Sequence, residues 1–384
     1  MTKYELCKEG VHLKQIRQAL WSDKKEFEYL WKTCFGDSDT FINWLFSRRF
    51  LPSYSVCIKE EHRMVSCMQS YPLHIFIRGK LVRGAMLCGV CTHPHFRKKG
   101  YMKELFSYMM HSLYDDDIIL AVHTPAVLNS YYSFGHYPVS NACYLTADRI
   151  PLFQKTSSVC EVDLQSEHFH GVYRCYHQLS KKYSGCVSRT AADFYLKWED
   201  YAADGGKCIV FFSESIIKGY CFYYKTDTLL QAVEVMADSE NSMRQLMEGL
   251  FSYGTGLTLS VKLPSDFESL SFGFTRIKKV PKGVAGGIHI AKLLNTVSSF
   301  DGYAIHVTDP ILAENNGVFD LRGNKVQQEP DISISAGHLT QILMGYLTLQ
   351  EAIREGYVQV YHSVQAQRIN LLFPKTNCYI VDEY

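Results

Sequence analysis

Apolar residues recur at helical spacing through Lys24–Phe35, where Phe27, Leu30, Trp31, Cys34 and Phe35 fall on one side, and again through residues 40–46. Alternating or unbroken apolar runs then predict strands at residues 54–59, 64–68, 73–77 and 81–92, with Glu60-Glu61-His62-Arg63 as a hairpin turn between the first two. Residues 102–113 carry an amphipathic helical pattern. Asp115-Asp116-Asp117 breaks it, and residues 118–122 read as a short buried strand. A second alternating section runs from about Ser157 to about Val280. It predicts a hairpin of residues 208–212 and 220–224 with Lys218-Gly219 near its turn, a strand at 229–236, a helix at 242–252 and a strand at 257–263. Pro281-Lys282-Gly283-Val284-Ala285-Gly286-Gly287 reads as a Gly/Pro-rich linker. Beyond it, a strand at 303–307 and helices at 338–345 and 349–355 predict a small α+β domain. Cys378-Tyr379-Ile380-Val381 reads as a strand that holds down the end of the chain.

Composition narrows the classes. A chain of 384 residues suits two or three domains, and 47% hydrophobic against 21% charged residues is ordinary for globular cores. Forty basic and thirty-nine acidic residues leave a formal charge of +1, so no long-range field favours nucleic acid or anionic membranes. The first residues lack the apolar run of a secretory signal, and no stretch approaches the roughly 20 apolar residues that span a bilayer. A cytoplasmic protein is expected. Cys88 and Cys91 make the one C-x-x-C among thirteen cysteines, without the second pair a zinc site needs. On a strand, residues three apart point to opposite faces. Buried thiols and no metal are expected.

The strongest chemical signal is the stretch Gly89-Val90-Cys91-Thr92-His93-Pro94-His95-Phe96-Arg97-Lys98-Lys99-Gly100-Tyr101-Met102-Lys103. A strand ends at Thr92, a tight turn carries Arg97, Lys98, Lys99 and Gly100, and a helix begins with Tyr101, Met102 and Lys103. A helix N-terminus offers N–H groups and the positive end of its dipole, which suits a diphosphate. Gly100 lets the backbone approach it, and three basic side chains add charge-assisted contacts. Backbone groups of Val90, Cys91 and Thr92 would then lie along the ligand.

This segment resembles motif A of the GNAT superfamily of acetyltransferases, Q/R-x-x-G-x-G/A. Arg97 and Gly100 fill the first and fourth places, and Met102 stands where a small residue is usual. A bulkier aliphatic residue at that place is similar to the enhanced intracellular survival (Eis) family. Downstream, Tyr131-Tyr132-Ser133-Phe134-Gly135-His136 is similar to the family's Tyr-x-x-x-Gly-Phe, with His136 in place of the aromatic. The resemblance implies acetyl-CoA as donor and Tyr131 as the acid that protonates the departing thiolate. It extends over nearly the whole chain: an active GNAT domain (residues 1–155), a degenerate second GNAT domain (156–285) and a sterol-carrier-protein-like domain (286–384). After residues 229–236 the second section has Asp238-Ser239-Glu240-Asn241-Ser242 and no Arg-x-x-Gly turn.

The same resemblance implies that the α-carboxylate of the last residue, Tyr384, acts as the base, brought to the cleft by the third domain. It also implies an amine acceptor of aminoglycoside, polyamine or lysine type, and a homo-oligomer, often a hexamer. No covalent enzyme intermediate is needed, so no cysteine is assigned as nucleophile. Tandem GNAT folds also occur in aminoacyl-tRNA-dependent peptidoglycan enzymes and N-myristoyltransferases. The former would not need the intact turn seen here, and the motifs of the latter are not matched. A lipid-binding carrier without transferase activity is the alternative from a different class.

Overall fold

The computed structural model describes residues 14–298, 300 and 302–383. Contacts divide the chain into two compact units: the chain up to Tyr71 together with Leu87–Asp115, and Pro72–Met86 together with Asp116–Tyr384.

The first unit holds strand β1 (Lys14–Gln18), helices α1 (Lys24–Phe35) and α2 (Asp39–Arg48), β2 (Ser55–Glu60), the first part of β3 (Arg63–Ile77), the last part of β4 (Lys80–Thr92) and α3 (Tyr101–Asp115). β2 pairs antiparallel with β1 on one side and β3 on the other. Of the apolar stripe read from the sequence in α1, Phe27, Leu30 and Trp31 are buried, Cys34 is half-buried and Phe35, at the end of the helix, is exposed. Phe27, Leu30 and Trp31 of α1 and Ile42, Leu45 and Phe46 of α2 pack with Cys57, Met64, Cys67 and Cys91 of the strands. Gly36, at φ 76°, ends α1, and the Ser38 hydroxyl caps α2 by accepting the Phe41 N–H at 3.1 Å.

The second unit continues with β5 (Leu120–His123), β6 (Tyr137–Ala147), β7 (Val159–Val162), α4 (Phe169–Ser180), α5 (Ala191–Ala203), β8 (Lys207–Ser213), β9 (Ile216–Lys225), β10 (Leu229–Ala237), α6 (Glu240–Ser252), β11 (Thr258–Pro264) and β12 (Arg276–Gly287). Its strands lie in the order β4-β5-β12-β6-β11-β10-β9-β8-β7. The last section adds α7 (Ile290–Val297), β13 (Ala304–Thr308), β14 (Gly317–Asp320), β15 (Ile332–Ser335), α8 (Ala336–Met344), α9 (Leu349–Arg354), β16 (Val358–Val360) and α10 (Ser363–Leu372), with a small sheet ordered β14-β13-β15-β16. The fold is mixed α/β. Gln341 of α8 donates to the Pro138 carbonyl at 2.6 Å and Gly287 N–H donates to Thr340 at 3.0 Å, tying the last section to β6 and β12. No helix among the described residues is long and apolar enough to cross a membrane.

Four local expectations are corrected. The strand pieces at 64–68 and 73–77 are one strand, β3, which passes through Pro72. Beyond the proline, bonds go to a neighbouring loop, with Phe76 N–H donating to the Cys186 carbonyl and Ser188 N–H to the His74 carbonyl. The hairpin of β8 and β9 turns at Glu214 and Ser215, both at positive φ, whereas Gly219 lies inside β9 against the Met236 carbonyl. The segment 281–287 is no linker but the end of β12, paired with β5 from Val284↔His123 to Gly287↔Leu120. Its glycines serve close packing: a Cβ on Gly286 would lie 2.3 Å from the His136 ring. Finally, residues 378–381 are extended but form no ladder, with a single parallel bridge from Ser184 to Cys378.

Candidate active site

Within the first unit, β4 carries Gly89 at φ 58°, and a Cβ there would come within 2.6 Å of the Trp31 ring. This left-handed residue interrupts the two-residue alternation of the strand. Cys91 and Cys88 are both buried, Cys91 with its sulfur 3.4 Å from that of Cys67. Burial pushes the Cys88 thiol up to about 12, so neither it nor Cys91, also raised well above its ordinary value, supplies a thiolate nucleophile. Gln69 faces the same glycine. Its carboxamide is buried, neither of its polar atoms has a hydrogen-bond partner among the described residues, and a Cβ on Gly89 would be 3.0 Å from its Nε2. Nothing in the run Ser66-Cys67-Met68-Gln69-Ser70 announces this, because a glutamine in a strand reads as facing water. Such a group is where water or a substrate atom is needed.

Val90 and Thr92 are half-buried, and the Thr92 hydroxyl bonds to Ser66 at 2.7 Å. A short 3₁₀ turn, Pro94–Phe96, leads to Arg97, whose Nε donates to the Thr92 carbonyl at 3.2 Å. Lys98 has φ 65° and Gly100 φ 85°. Two left-handed residues so close together fold the chain sharply into α3. A Cβ on Gly100 would meet nothing within 4 Å, so the demand for glycine is conformational rather than steric. Arg97, Lys98, Lys99 and Lys103 are exposed, and Lys99 lies 4.8 Å from the Phe96 ring centre and 3.9 Å from Glu60. The Lys103 and Glu104 N–H groups both donate to the Gly100 carbonyl, which places the N–H groups of Tyr101 and Met102 in the first turn, where a helix has no acceptor of its own. The Tyr101 side chain is buried and bonded to Glu60, so that residue reaches a ligand only through its backbone.

Tyr131 belongs to the second unit. It lies on the 3₁₀ segment Leu128–Phe134, ended by Gly135 at φ 76°. Its ring is largely buried and meets the His123 ring edge-on, 4.4 Å between centres. His123 Nε2 and His136 Nδ1 share a hydrogen bond of 3.1 Å. Burial pushes the Tyr131 hydroxyl up to about 12 and His136 down to about 3; burial and then His136 hold His123 well below its ordinary value. Two neutral imidazoles thus stand beside a tyrosine that keeps its proton. Tyr132 packs on Tyr137, which stacks on His338 at 4.0 Å, and His338 stacks on Tyr357 at 3.9 Å. The spacing singled out Tyr131, and its surroundings are chemically distinct from those of its neighbours. His123 had no sequence signal, being one more residue at the end of a buried strand.

The end of the chain also lies in the second unit, and Tyr384 itself falls outside the described residues. Tyr379, Ile380, Val381 and Asp382 are buried. Arg189 makes two parallel bonds of 2.8 Å to Glu234 and reaches Asp382 Oδ1 through Nη2 at 2.8 Å and Nε at 3.1 Å. Tyr201 and Tyr220 donate to Glu234 as well. Burial alone would raise Glu234, but Arg189 and the Tyr220 hydroxyl outweigh it and hold the carboxyl below its usual range. Lys262 donates to the Val381 carbonyl at 3.0 Å and to Glu383 at 2.6 Å, Lys197 donates to the Glu383 carbonyl at 3.0 Å, and the Thr124 hydroxyl, just beyond β5, donates to the Asp382 carbonyl at 3.3 Å. None of these partners was legible in the sequence, where they are scattered over more than 250 positions.

Residues 15–139 match the acetyltransferase (GNAT) domain family, and residues 297–381 match the sterol carrier protein domain family. No curated protein matches the sequence. Among solved structures, a protein from Enterococcus faecalis described as a probable N-acyltransferase superposes with a TM-score of 0.81 at 16% identity, covering 97% of this chain and 100% of that one. Eis1 from Mycobacterium abscessus gives 0.77 at 17% identity with the same coverage, and a GCN5-related N-acetyltransferase from Anabaena variabilis gives 0.78 at 15%, again with 97% and 100% covered. The chain therefore carries an acetyltransferase (GNAT) domain and a C-terminal sterol carrier protein domain, and over nearly its whole length it has the fold of Eis1 and of the other two structures.

Proposed function

We propose that this protein is an acetyl-CoA-dependent N-acetyltransferase that transfers directly to an amine acceptor of aminoglycoside, polyamine or lysine type. The observation that carries the reading is the strand–turn–helix of β4 and α3, with Gly100 left-handed and Arg97, Lys98 and Lys99 exposed around the first turn of the helix. Here the N–H groups of Tyr101 and Met102, with Arg97, Lys98, Lys99 and Lys103, hold the phosphates. The backbone of Val90, Cys91 and Thr92 runs along the pantetheine, and an N–H of that strand stabilises the oxyanion.

The amine nitrogen attacks the thioester carbonyl, the C–S bond breaks as the tetrahedral intermediate collapses, and Tyr131 gives its proton to the departing thiolate. The proton lost by the amine passes, directly or through water, to the α-carboxylate of Tyr384. Residues 1–155, 156–285 and 286–384 form the three domains, and the protein works in the cytoplasm as a homo-oligomer, without nucleic acid or membrane. The near-zero net charge supports that last reading.

A screen of amine acceptors with acetyl-CoA, detecting the released thiol, tests the proposal. Acyl transfer to no amine, with acetyl-CoA bound unchanged, would refute it. The sterol carrier match favours a second reading, a lipid carrier, and titration with a fatty acid decides between the two. Against the carrier, the interior of the last section is filled by its own side chains, with Ile305, Val307, Phe319, Leu343 and Ile369 fully buried.

A further inference from the structure

β10 and β11 run parallel and paired only from Leu229↔Thr258 to Ala232↔Val261. Past that point β10 continues beside β9 as far as Ala237, with a register shift between Ala232 and Glu234, and β11 continues beside β6 to Pro264. The two strands therefore part at Glu234 on one side and Lys262 on the other. In the first section the parallel pairing of β4 with β5 is as short, Gly84↔Leu120 to Met86↔Val122, and ends where the strand proposed to carry the acyl group begins. In the second section the opening is filled by protein. Asp382 is bonded to Arg189, which is clamped to Glu234, and the Val381 carbonyl and Glu383 carboxylate are bonded to Lys262.

We infer that the gap between β10 and β11 is a binding site for an acidic peptide segment, occupied by residues 378–383 of this chain itself. The fit is built on both sides. Ile380 sits against Gly185 and Gly283, where a Cβ would approach its side chain to 2.9 and 2.7 Å. Tyr379 and Val381 join the core formed by Phe194, Trp198, Tyr220 and Phe222. Arg189 and Lys262 are both buried, and the two residues of the segment that bear charge, Asp382 and Glu383, are both acidic; Lys197, paired with Asp200, adds a bond to the Glu383 backbone carbonyl. A segment without those carboxylates would leave buried cations short of their partners, so the site selects acidic sequence. The place that a cofactor slot would occupy in this section is thus converted to holding a peptide, which agrees with its lack of a basic glycine turn. The inference stands apart from the role given to Tyr384: an enzyme can hold this segment and still take its base from elsewhere.

Hydrogen–deuterium exchange on the full-length protein tests it. Wild type should protect residues 378–383 as strongly as β10 and β11. Asp382→Asn, and separately Glu383→Gln, whose side chain is partly exposed and whose loss leaves the core intact, should raise exchange in residues 378–383 by about tenfold or more, the effect of weakening a charged hydrogen bond. β10, β11 and α6 should keep their protection, and the Kd for acetyl-CoA should not change. Unchanged exchange in 378–383 for both variants overturns the inference. So does an equal rise across the whole second section, because the charges would then merely hold up the fold. A protected segment together with normal turnover after extension beyond Tyr384 would refute the terminal base alone.

Discussion

Two tyrosines next to each other, Tyr131 and Tyr132, have different neighbours, and chemistry follows from the difference. Tyr131 meets an imidazole in a buried place that holds its hydroxyl protonated, whereas Tyr132 packs on another phenol. Tyr131→Phe keeps the ring and removes one proton donor, so kcat should fall by about 10²–10⁴-fold with acetyl-CoA affinity unchanged, as a general acid requires. Tyr132→Phe should change kcat little, and steady-state kinetics of the two variants checks both. The histidine pair predicts a pH effect on stability. Burial pushes His136 down to about 3 in the folded protein, against about 6.5 for an ordinary imidazole, so on acidification the unfolded chain takes up its proton first. Its contribution is whole above pH 6.5 and is lost as the pH falls from there towards 3. At pH 5 the loss should be about 2 kcal/mol, since each unit is worth about 1.4 kcal/mol. Urea unfolding of wild type and His136→Phe from pH 8 to 4 measures it: the variant's curve should be flatter.

At the scale of an element, the turn between β4 and α3 joins a conformational demand to a charge pattern. Gly100 is left-handed with open space around it, so Gly100→Ala should cost about 1–2 kcal/mol of stability, the penalty of a left-handed non-glycine residue, without a clash. Gly100→Glu adds a like charge facing the phosphates and should weaken acetyl-CoA binding at least about tenfold beyond the alanine variant, given the strength of charge-assisted contacts. Calorimetric titration of both folded variants checks this; equal affinities for wild type and Gly100→Glu would move the site. The arginine–glycine spacing, the preceding strand and the following helix were all legible, because each is a local pattern of a few residues. The commitments of individual side chains were not. Tyr101 looks like a ligand-facing residue until Glu60, forty-one positions earlier, captures its hydroxyl.

For the whole molecule, the end of the chain is the test of the proposed base. A Gly-Ser extension after Tyr384 turns the α-carboxylate into an amide, and deletion of Tyr384 moves it by roughly 3.3 Å along an extended chain. Either change should lower kcat by about 10²-fold, the cost of displacing a catalytic group by an ångström or more, while melting temperature and acetyl-CoA affinity hold. Normal turnover in the extended enzyme would send the search to a side-chain carboxylate.

Periodicity and turn chemistry were enough for the helices of the first unit, the β4–α3 turn, the spacing that selects Tyr131 and the alternation of helices and strands, because those depend on neighbours along the chain. Tertiary structure alone decided the rest. Glycines 283, 286 and 287 looked like freedom and are close packing, since what sits opposite a missing Cβ is set by residues far away, such as His136 and Ile380. Cys378-Tyr379-Ile380-Val381 looked like a strand and is an extended segment without a ladder, held by the Tyr379 N–H on the Ser184 carbonyl and by Lys262 on the Val381 carbonyl, with Arg189 and Lys197 gripping Asp382 and Glu383 just beyond it. Burial of a charge is favourable only when its counter-charges converge on it, and no local pattern encodes that convergence.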